Sequence, residues 1–449
     1  MERRIDKYLS EWKEENKRKV ILLRGARQVG KTYAVKKQGK VFKYFLEINF
    51  EEEKDLRSVF QGSLNPQNIC EKLSAFFSVP IIQGETLLFL DEIQACPEAL
   101  SSLRFFHEKM PGLHLIAAGS LLEFALSEIP SQGVGRIQSF FMYPMSFVEF
   151  LIANGAKAIV DFVDRSNTQN PLEEIFHNKL VEYLKTYLYI GGMPEVVQAY
   201  IDHKDLILCQ KKLDDLLTTL RDDFAKYKKK SPVGRLREVF DSVVFQAGNK
   251  FKYSNIESSS GSQELKNALD LLLQAGLAYK IYHTSAQGLP LGAQINTKKF
   301  KVILFDIGLH QRLLGLDLRS YLLSEDFQGI NRGNIAEIFV GLELIGNGPV
   351  HISRQLFYWH REARGSNAEI DYLIQQAERI VPIEVKAGTK GQMQSMCIFL
   401  KSHRSECGIR VSLEHFSEYE KIKVFPLYAV YKINQEEAGN HRNETTTGK

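Results

Sequence analysis

Short apolar runs, each closed by glycine or charge, organise the first third of the chain. Val20-Ile-Leu-Leu23, Thr86-Leu-Leu-Phe-Leu90 and His114-Leu-Ile-Ala-Ala118 are continuous rather than alternating, as strands buried on both faces of a parallel sheet are. A charged, helix-like lead, Glu2–Lys19, precedes the first run. From 145 to 230 the pattern changes to helical spacing, as in Leu180–Leu188, and a long helix is predicted over Lys204–Lys230, ending in Lys226-Tyr-Lys-Lys-Lys230. A basic last turn favours the helix dipole, so this run is explained with or without a nucleic-acid contact.

Further along, Arg235–Gly248, Phe251–Ser254 and Ser262–Ala275 read as three helices, the last stopped by Gly276. Leu277–Tyr282 and Lys299–Phe305 then read as two strands around a glycine-rich hairpin. Three helices and a two-stranded wing predict a winged helix. In a DNA-binding version the third helix enters the major groove, presenting Gln263, Lys266 and Asn267; winged helices also serve as protein-interaction modules. Arg332–Leu344 is a predicted helix and Leu356–His360 a strand, followed by two alternating runs, Ala368–Gln375 and Ile380–Lys386.

Composition narrows the class. With 449 residues, 44% hydrophobic and 25% charged, the chain is an ordinary multidomain globular one. The net charge of +4 excludes a general polycation, so any nucleic-acid contact must come from local patches. Residues 1–200 carry 24 basic and 25 acidic side chains; the remainder carries 34 and 29, so the small positive excess lies in the second half. Five scattered cysteines show neither a zinc-ligand spacing nor a disulfide framework. The N-terminus lacks the apolar core of a signal peptide, and no run approaches the ~20 apolar residues that span a bilayer. A cytoplasmic protein with no membrane contact is expected.

The chemistry begins at Gly25-Ala-Arg-Gln28-Val29-Gly30-Lys31-Thr32, which satisfies GxxxxGK[ST] between a strand and a helix. Glycines let backbone N–H groups curl around phosphate oxygens, and the new helix presents its positive end to the same anion. Lys31 reaches the β- and γ-phosphates and the Thr32 hydroxyl ligates Mg²⁺. Asp91 and Glu92 close the next apolar strand, where acids lie in the ligand crevice. Asp91 fits the Mg²⁺-side carboxylate and Glu92 the base that orients the attacking water. Ser120 is either a sensor of the γ-phosphate or water, or the N-cap of Leu121–Leu126. Arg136, after Gly133-Val-Gly135, is a candidate arginine finger acting in trans in an assembly; Arg27 and Arg104 compete, and each is equally explained by a surface salt bridge.

These residues resemble the AAA-type P-loop ATPases of bacteria and archaea near the signal-transduction ATPases. GARQVGKT, FLDEIQ, AAGSLLEF, Tyr143-Pro-Met-Ser-Phe-Val-Glu-Phe150 and Gly191-Gly-Met-Pro194 carry the likeness, which covers essentially the whole chain. The resemblance implies ATP rather than GTP, and a lid that closes over base and ribose with Met193 and Pro194 near adenine. Locally, Gly-Gly-x-Pro is also a helix stop.

The C-terminal acids form a second constellation. If Gln376–Arg379 is a hairpin loop, Gln375 opposes Ile380 and Asp371 falls directly opposite Glu384, with Lys386 on the same face. Opposed carboxylates repel, and a divalent cation would resolve this, leaving Lys386 to position hydroxide or balance phosphorane charge. Glu337 on the preceding helix completes the set, with Glu343 as competitor. The arrangement resembles the PD-(D/E)xK nuclease superfamily; in this ATPase family the resemblance implies a nuclease-like domain without an established substrate.

The expected architecture is an α/β P-loop ATPase core with a parallel sheet and helices on both sides (1–142), a helical lid (143–230), a winged helix (231–320), an α/β nuclease-like domain (321–433) and a disordered polar tail (434–449). Two functions fit: an ATPase that couples ATP and Mg²⁺ to a DNA-binding, nuclease-like module, or a nucleotide-dependent switch or scaffold with an inactive nuclease-like domain, working as a homo-oligomer or with a partner protein.

Overall fold

The computed structural model describes residues 1–120, 122, 126, 135–227, 231–257, 261–315, 332–361, 368–388 and 392–433. The Leu121–Leu126 helix, Gly133, the last three lysines of the 226–230 run and the 434–449 tail therefore lie, wholly or largely, outside the described residues. The chain divides into two compact units: Met1–Tyr143 with Gln274–Gly276 and Pro349–Ser353, and the remainder.

The first unit opens with α1 (Arg4–Glu14), which buries Ile5, Leu9 and Trp12 at helical spacing. Five strands follow: β1 (Val20–Arg24), β2 (Tyr44–Asn49), β3 (Thr86–Asp91), β4 (His114–Ala118) and β5 (Ile137–Phe141). All pairings are parallel, in the order β2-β3-β4-β1-β5. The predicted continuous apolar runs are buried along their whole length in β3 and β4. Three more helices follow among the described residues: α2 (Lys31–Gly39), α3 (Pro66–Phe77) and α4 (Pro97–Lys109). Proline stands at the start of α3 and α4, where its missing N–H costs nothing. On one face Val20, Leu22, Leu88, Leu90, Leu115 and Ala117 pack with Ile69, Leu73, Leu100 and Leu103 of α3 and α4. Burial of Ile21, Leu23, Phe89 and Ile116, the alternate residues, is also complete. The order places β4 between β1 and β3, so the P-loop and the two acids leave the same edge of the sheet with Ser120 between them.

The second unit begins with α5 (Phe147–Ala153), α6 (Lys157–Arg165), α7 (Glu174–Ile190), α8 (Pro194–His203), α9 (Leu206–Asp223), α10 (Val233–Phe245) and α11 (Ser262–Gln274). The long helix predicted to Lys230 ends at Asp223 and continues as a 3-10 turn, Phe224–Tyr227. The helix expected at Phe251–Ser254 is a three-residue turn, Tyr253–Asn255.

An antiparallel hairpin follows, β6 (Ala278–Thr284) and β7 (Ile295–Leu304), then α12 (Ile307–Leu313), α13 (Arg332–Gly346), β8 (Leu356–His360), β9 (Glu369–Gln376), β10 (Arg379–Val385), α14 (Gln394–His403), β11 (Gly408–Ser412), β12 (Ser417–Tyr419) and β13 (Ile422–Pro426). The hairpin expected as a separate wing is not freestanding. Strand β6 pairs in parallel with β8, making one eight-stranded mixed sheet in the order β12-β13-β11-β10-β9-β8-β6-β7. The physical reason is visible in β6 itself, where Ile281 and His283 are buried and the strand has hydrogen-bonding edges to satisfy on both sides.

Candidate functional site

The loop between β1 and α2 forms the phosphate cradle. Gly25 has φ +146° and a Cβ there would collide with the carbonyl oxygen of Met142. Gly30 caps α2 in the left-handed region at φ 94°, and Gln28 is also left-handed at φ 62°. Val29 is fully buried and its carbonyl accepts from Nη1 of Arg3 at 2.9 Å, while Nη2 of the same side chain donates to the Tyr143 carbonyl at 2.8 Å. Arg3 thus ties the cradle to the chain beyond β5. The sequence reading missed it, because an arginine in a charged lead carries no local signal.

Lys31 bends back over the loop, its ammonium donating to the carbonyls of Gly25 at 2.9 Å and Ala26 at 2.7 Å. Burial lowers its pKa to about 8, with Glu92 and Asp91 pulling it back up and Arg27 pushing it down. Thr32 Oγ1 donates to Oδ2 of Asp91 at 2.7 Å, and the Glu92 N–H donates to Oδ1 at 2.9 Å. Burial raises the Asp91 carboxyl above its ordinary range, against those two hydrogen bonds.

Glu92 sits at φ 47°, a left-handed conformation that a non-glycine residue holds only when its surroundings impose it. Its Oε2 accepts from Nε2 of Gln94 at 2.5 Å and from Oγ of Ser120 at 3.4 Å. Nε of Arg27 donates to the same Ser120 hydroxyl at 3.4 Å, and the guanidinium meets Glu51 at 3.5 Å. The structure therefore gathers Lys31, Thr32, Asp91, Glu92 and Ser120 on one edge of the sheet. The donor set of one hydroxyl and one carboxylate, both hard oxygens, suits Mg²⁺.

Arg136 lies elsewhere. It immediately precedes β5, whose first residue pairs with Val20 at the opposite end of β1 from Gly25. About 16 Å of strand separates the two edges. Arg136 pairs there with Glu108 and cannot reach this chain's own cradle. Met193 and Pro194 belong to the second unit, where Met193 is fully buried and precedes α8, which Pro194 opens. The adjoining Gly192 N–H donates to Oδ2 of Asp306 at 2.7 Å, so the glycine pair is built into that unit's own packing.

In the C-terminal sheet, β9 and β10 pair in the predicted register, with Ile380 opposite Gln375 and Ile383 opposite Tyr372. Asp371 and Glu384 are the next positions in that register. Asp371 Oδ2 accepts from the Val385 N–H at 2.7 Å. Glu384 is 4% exposed; Oε1 accepts from Lys386 at 2.7 Å and Oε2 has no hydrogen-bond partner. Burial raises Asp371 to about 6, Lys301 and the Val385 N–H lowering it and Glu384 and Glu369 raising it.

Glu337 does not complete a carboxylate trio. Its Oε1 pairs at 2.7 Å with the ammonium of Lys301, which is 1% exposed and also meets Glu369 at 2.5 Å. Burial works against the Lys301 charge, but Glu337, Glu369 and Asp371 outweigh it and hold its pKa above the ordinary lysine value. Burial likewise raises Glu337, against the pull of Lys301. Among the described residues no three His, Cys, Asp or Glu side chains form a metal-binding group. Lys301 and Glu369 went unseen in the sequence because Lys301 follows two other lysines, the exposed Lys298 and the half-buried Lys299, and nothing local marks it as the buried one. Glu343 is accounted for separately: Oε1 accepts from the Phe147 N–H at 2.9 Å, at the start of α5, and Oε2 from Asn347 at 2.8 Å.

A five-stranded parallel sheet with this cradle and this acid pair is a P-loop nucleotide-binding domain. Residues 17–151 match the family model of an AAA domain. Residues 181–320 and 332–430 match two domains of unknown function, DUF8612 and DUF4143. No curated protein matches the chain. Among solved structures, the Walker-type ATPase of Pyrococcus abyssi is 16% identical with a TM-score of 0.44, covering 70% of this chain and 95% of its own. The ORC1 protein of Aeropyrum pernix in complex with DNA is 12% identical, TM-score 0.26, covering 71% and 92%. Drosophila ORC bound to DNA is also 12% identical, TM-score 0.26, covering 70% and 95%. Among the described residues no helix is long and apolar enough to cross a membrane.

Proposed function

We propose that the protein binds ATP with Mg²⁺, hydrolyses it, and uses the nucleotide state to control a second unit that engages DNA. The observation that carries the reading is the single edge on which Lys31, Thr32, Asp91, Glu92 and Ser120 meet. A phosphate oxygen is a stronger acceptor than the two amide carbonyls that now hold Lys31, so a bound triphosphate draws the ammonium onto its β- and γ-oxygens. Thr32 and Asp91 would hold Mg²⁺, which would supply charge neutralisation for the transferred phosphoryl group. Glu92 accepts the proton of the attacking water, and Ser120 and Gln94 fix the carboxylate that does so. The backbone amides before α2 stabilise the developing charge.

For the C-terminal sheet, the unpartnered Oε2 of Glu384 beside Asp371 supports a metal-assisted phosphodiester cleavage in which Lys386 steadies the attacking hydroxide. The buried Lys301 ammonium supports the second reading, a nucleotide-dependent switch whose nuclease-like centre is already neutralised from within. Purified protein incubated with Mg²⁺ or Mn²⁺ and single-stranded, duplex and branched DNA, with and without ATP, separates them. Cleavage that disappears in Asp371→Ala supports the first; cleavage absent throughout, with ATP turnover intact, leaves the switch.

A further inference from the structure

The second unit holds a pocket of about 440 Å³ lined by Phe245, Asn249, Lys250, Lys252, Asn255 and Glu369. Its lining includes one aromatic residue and two lysines. Phe245, the last residue of α10, is 71% exposed. The loop that carries the lysines is held in shape. Gln246 is buried and staples it, accepting from the Lys252 N–H at 2.8 Å and donating to the Lys252 carbonyl at 3.0 Å. Phe251 N–H donates to the Phe300 carbonyl at 2.9 Å, the two rings stack at 5.9 Å, and Lys250 bridges to Lys301 on β7. Glu369, also in the lining, is ion-paired with Lys301, which it shares with Glu337, so its charge against an incoming anion is offset. Lys250 and Lys299 also act electrostatically on His360 nearby.

An exposed aromatic face beside paired cations and neutral amides suits a stretch of single-stranded nucleic acid: base on ring, phosphates on lysines, base edges on Asn249 and Asn255. We propose that this pocket binds a single nucleic-acid strand, with Phe245 stacking on a base and Lys250 and Lys252 contacting its phosphates, and that it feeds the strand toward the Glu369–Lys301–Glu337 cluster. This rests on the nucleic-acid part of the proposed function but on neither ATP turnover nor cleavage. It also moves the contact away from Gln263, Lys266 and Asn267 on α11, which are exposed.

Fluorescence anisotropy of the full chain with labelled oligo-dT, oligo-rU and a duplex, in EDTA so that no metal-dependent cleavage occurs, tests it. The single strands are expected to bind more tightly than the duplex, and oligo-dT against oligo-rU shows which sugar the site takes. Phe245→Ala is expected to weaken strand binding roughly ten-fold, while Phe245→Trp retains it and the thermal midpoint of both stays at the wild-type value. Lys252→Ala is expected to lower the salt dependence by about one phosphate's worth, ~0.7 in the logarithmic slope. Preference for duplex, or binding that survives Phe245→Ala and Lys252→Ala but falls in Lys266→Ala, overturns the proposal in favour of α11. A protein that hydrolyses ATP yet binds none of the three probes overturns it while leaving the ATPase reading intact.

Discussion

Lys31 makes the pH behaviour of the cradle a matter of one proton. Its pKa, lowered to about 8 by burial, lies below the ordinary lysine value of about 10.4. The folded state therefore sheds this proton before the unfolded state does. Lys31 contributes least to stability below about pH 8, and its burial penalty is relieved as the pH rises from there towards 10.5. Nucleotide affinity runs the other way, because the triphosphate needs the ammonium. ATP affinity, measured by titration calorimetry at constant ionic strength, should fall between pH 7 and 9, and a Lys31→Met protein should show no such dependence. Glu92 separates binding from chemistry. Glu92→Gln keeps the shape of the carboxylate but cannot take a proton, so ATP binding is expected to persist while kcat falls by about 10²–10⁴. The placement of both residues was legible in the sequence, since a P-loop and a strand-end acid pair depend on local spacing alone. The partners that hold them were not: Arg3 reaches Val29 and Tyr143 across 26 and 140 residues, and no pattern in the chain records such a contact.

At the scale of elements, periodicity located strands better than it located their neighbours. The β9–β10 register followed from alternation and loop length, because a one-residue slip would turn Ile370, Tyr372 and Ile383 out of the core. The β6–β7 hairpin was equally visible, but its pairing with β8 was not. Strand alternation says which side chains are buried and is silent on which backbone edge is shared. The same limit hid the difference between Glu337 and Glu343. Both lie on α13, yet only Glu343 meets the first N–H of α5. Glu343→Ala leaves that buried donor without its acceptor and leaves Asn347 only the residue 343 carbonyl. It should destabilise the protein by about 1–3 kcal/mol, seen as a lowered midpoint in denaturant unfolding.

For the whole molecule, the proposed function assigns ATP turnover to the first unit and its use to the second. Lys301 is the residue on which the two readings of the second unit divide. Removing it leaves the buried Glu337 and the half-buried Glu369 without their shared cation, so Lys301→Met should lose about 3–5 kcal/mol of stability. If its ammonium stands in for a cation, Mn²⁺ should recover part of that loss in thermal unfolding, and should recover little in the wild-type protein. The modest charge of the chain, +4, is consistent with strand contact through a small built pocket rather than a broad basic face.

The central claim, that one edge of the parallel sheet hydrolyses ATP, is tested most directly by phosphate release from ATP and Mg²⁺ in the wild-type, Lys31→Ala and Glu92→Gln proteins. The account predicts steady turnover in the wild type and loss of turnover in both variants, with ATP still bound by Glu92→Gln. Turnover in Lys31→Ala at the wild-type rate would contradict it.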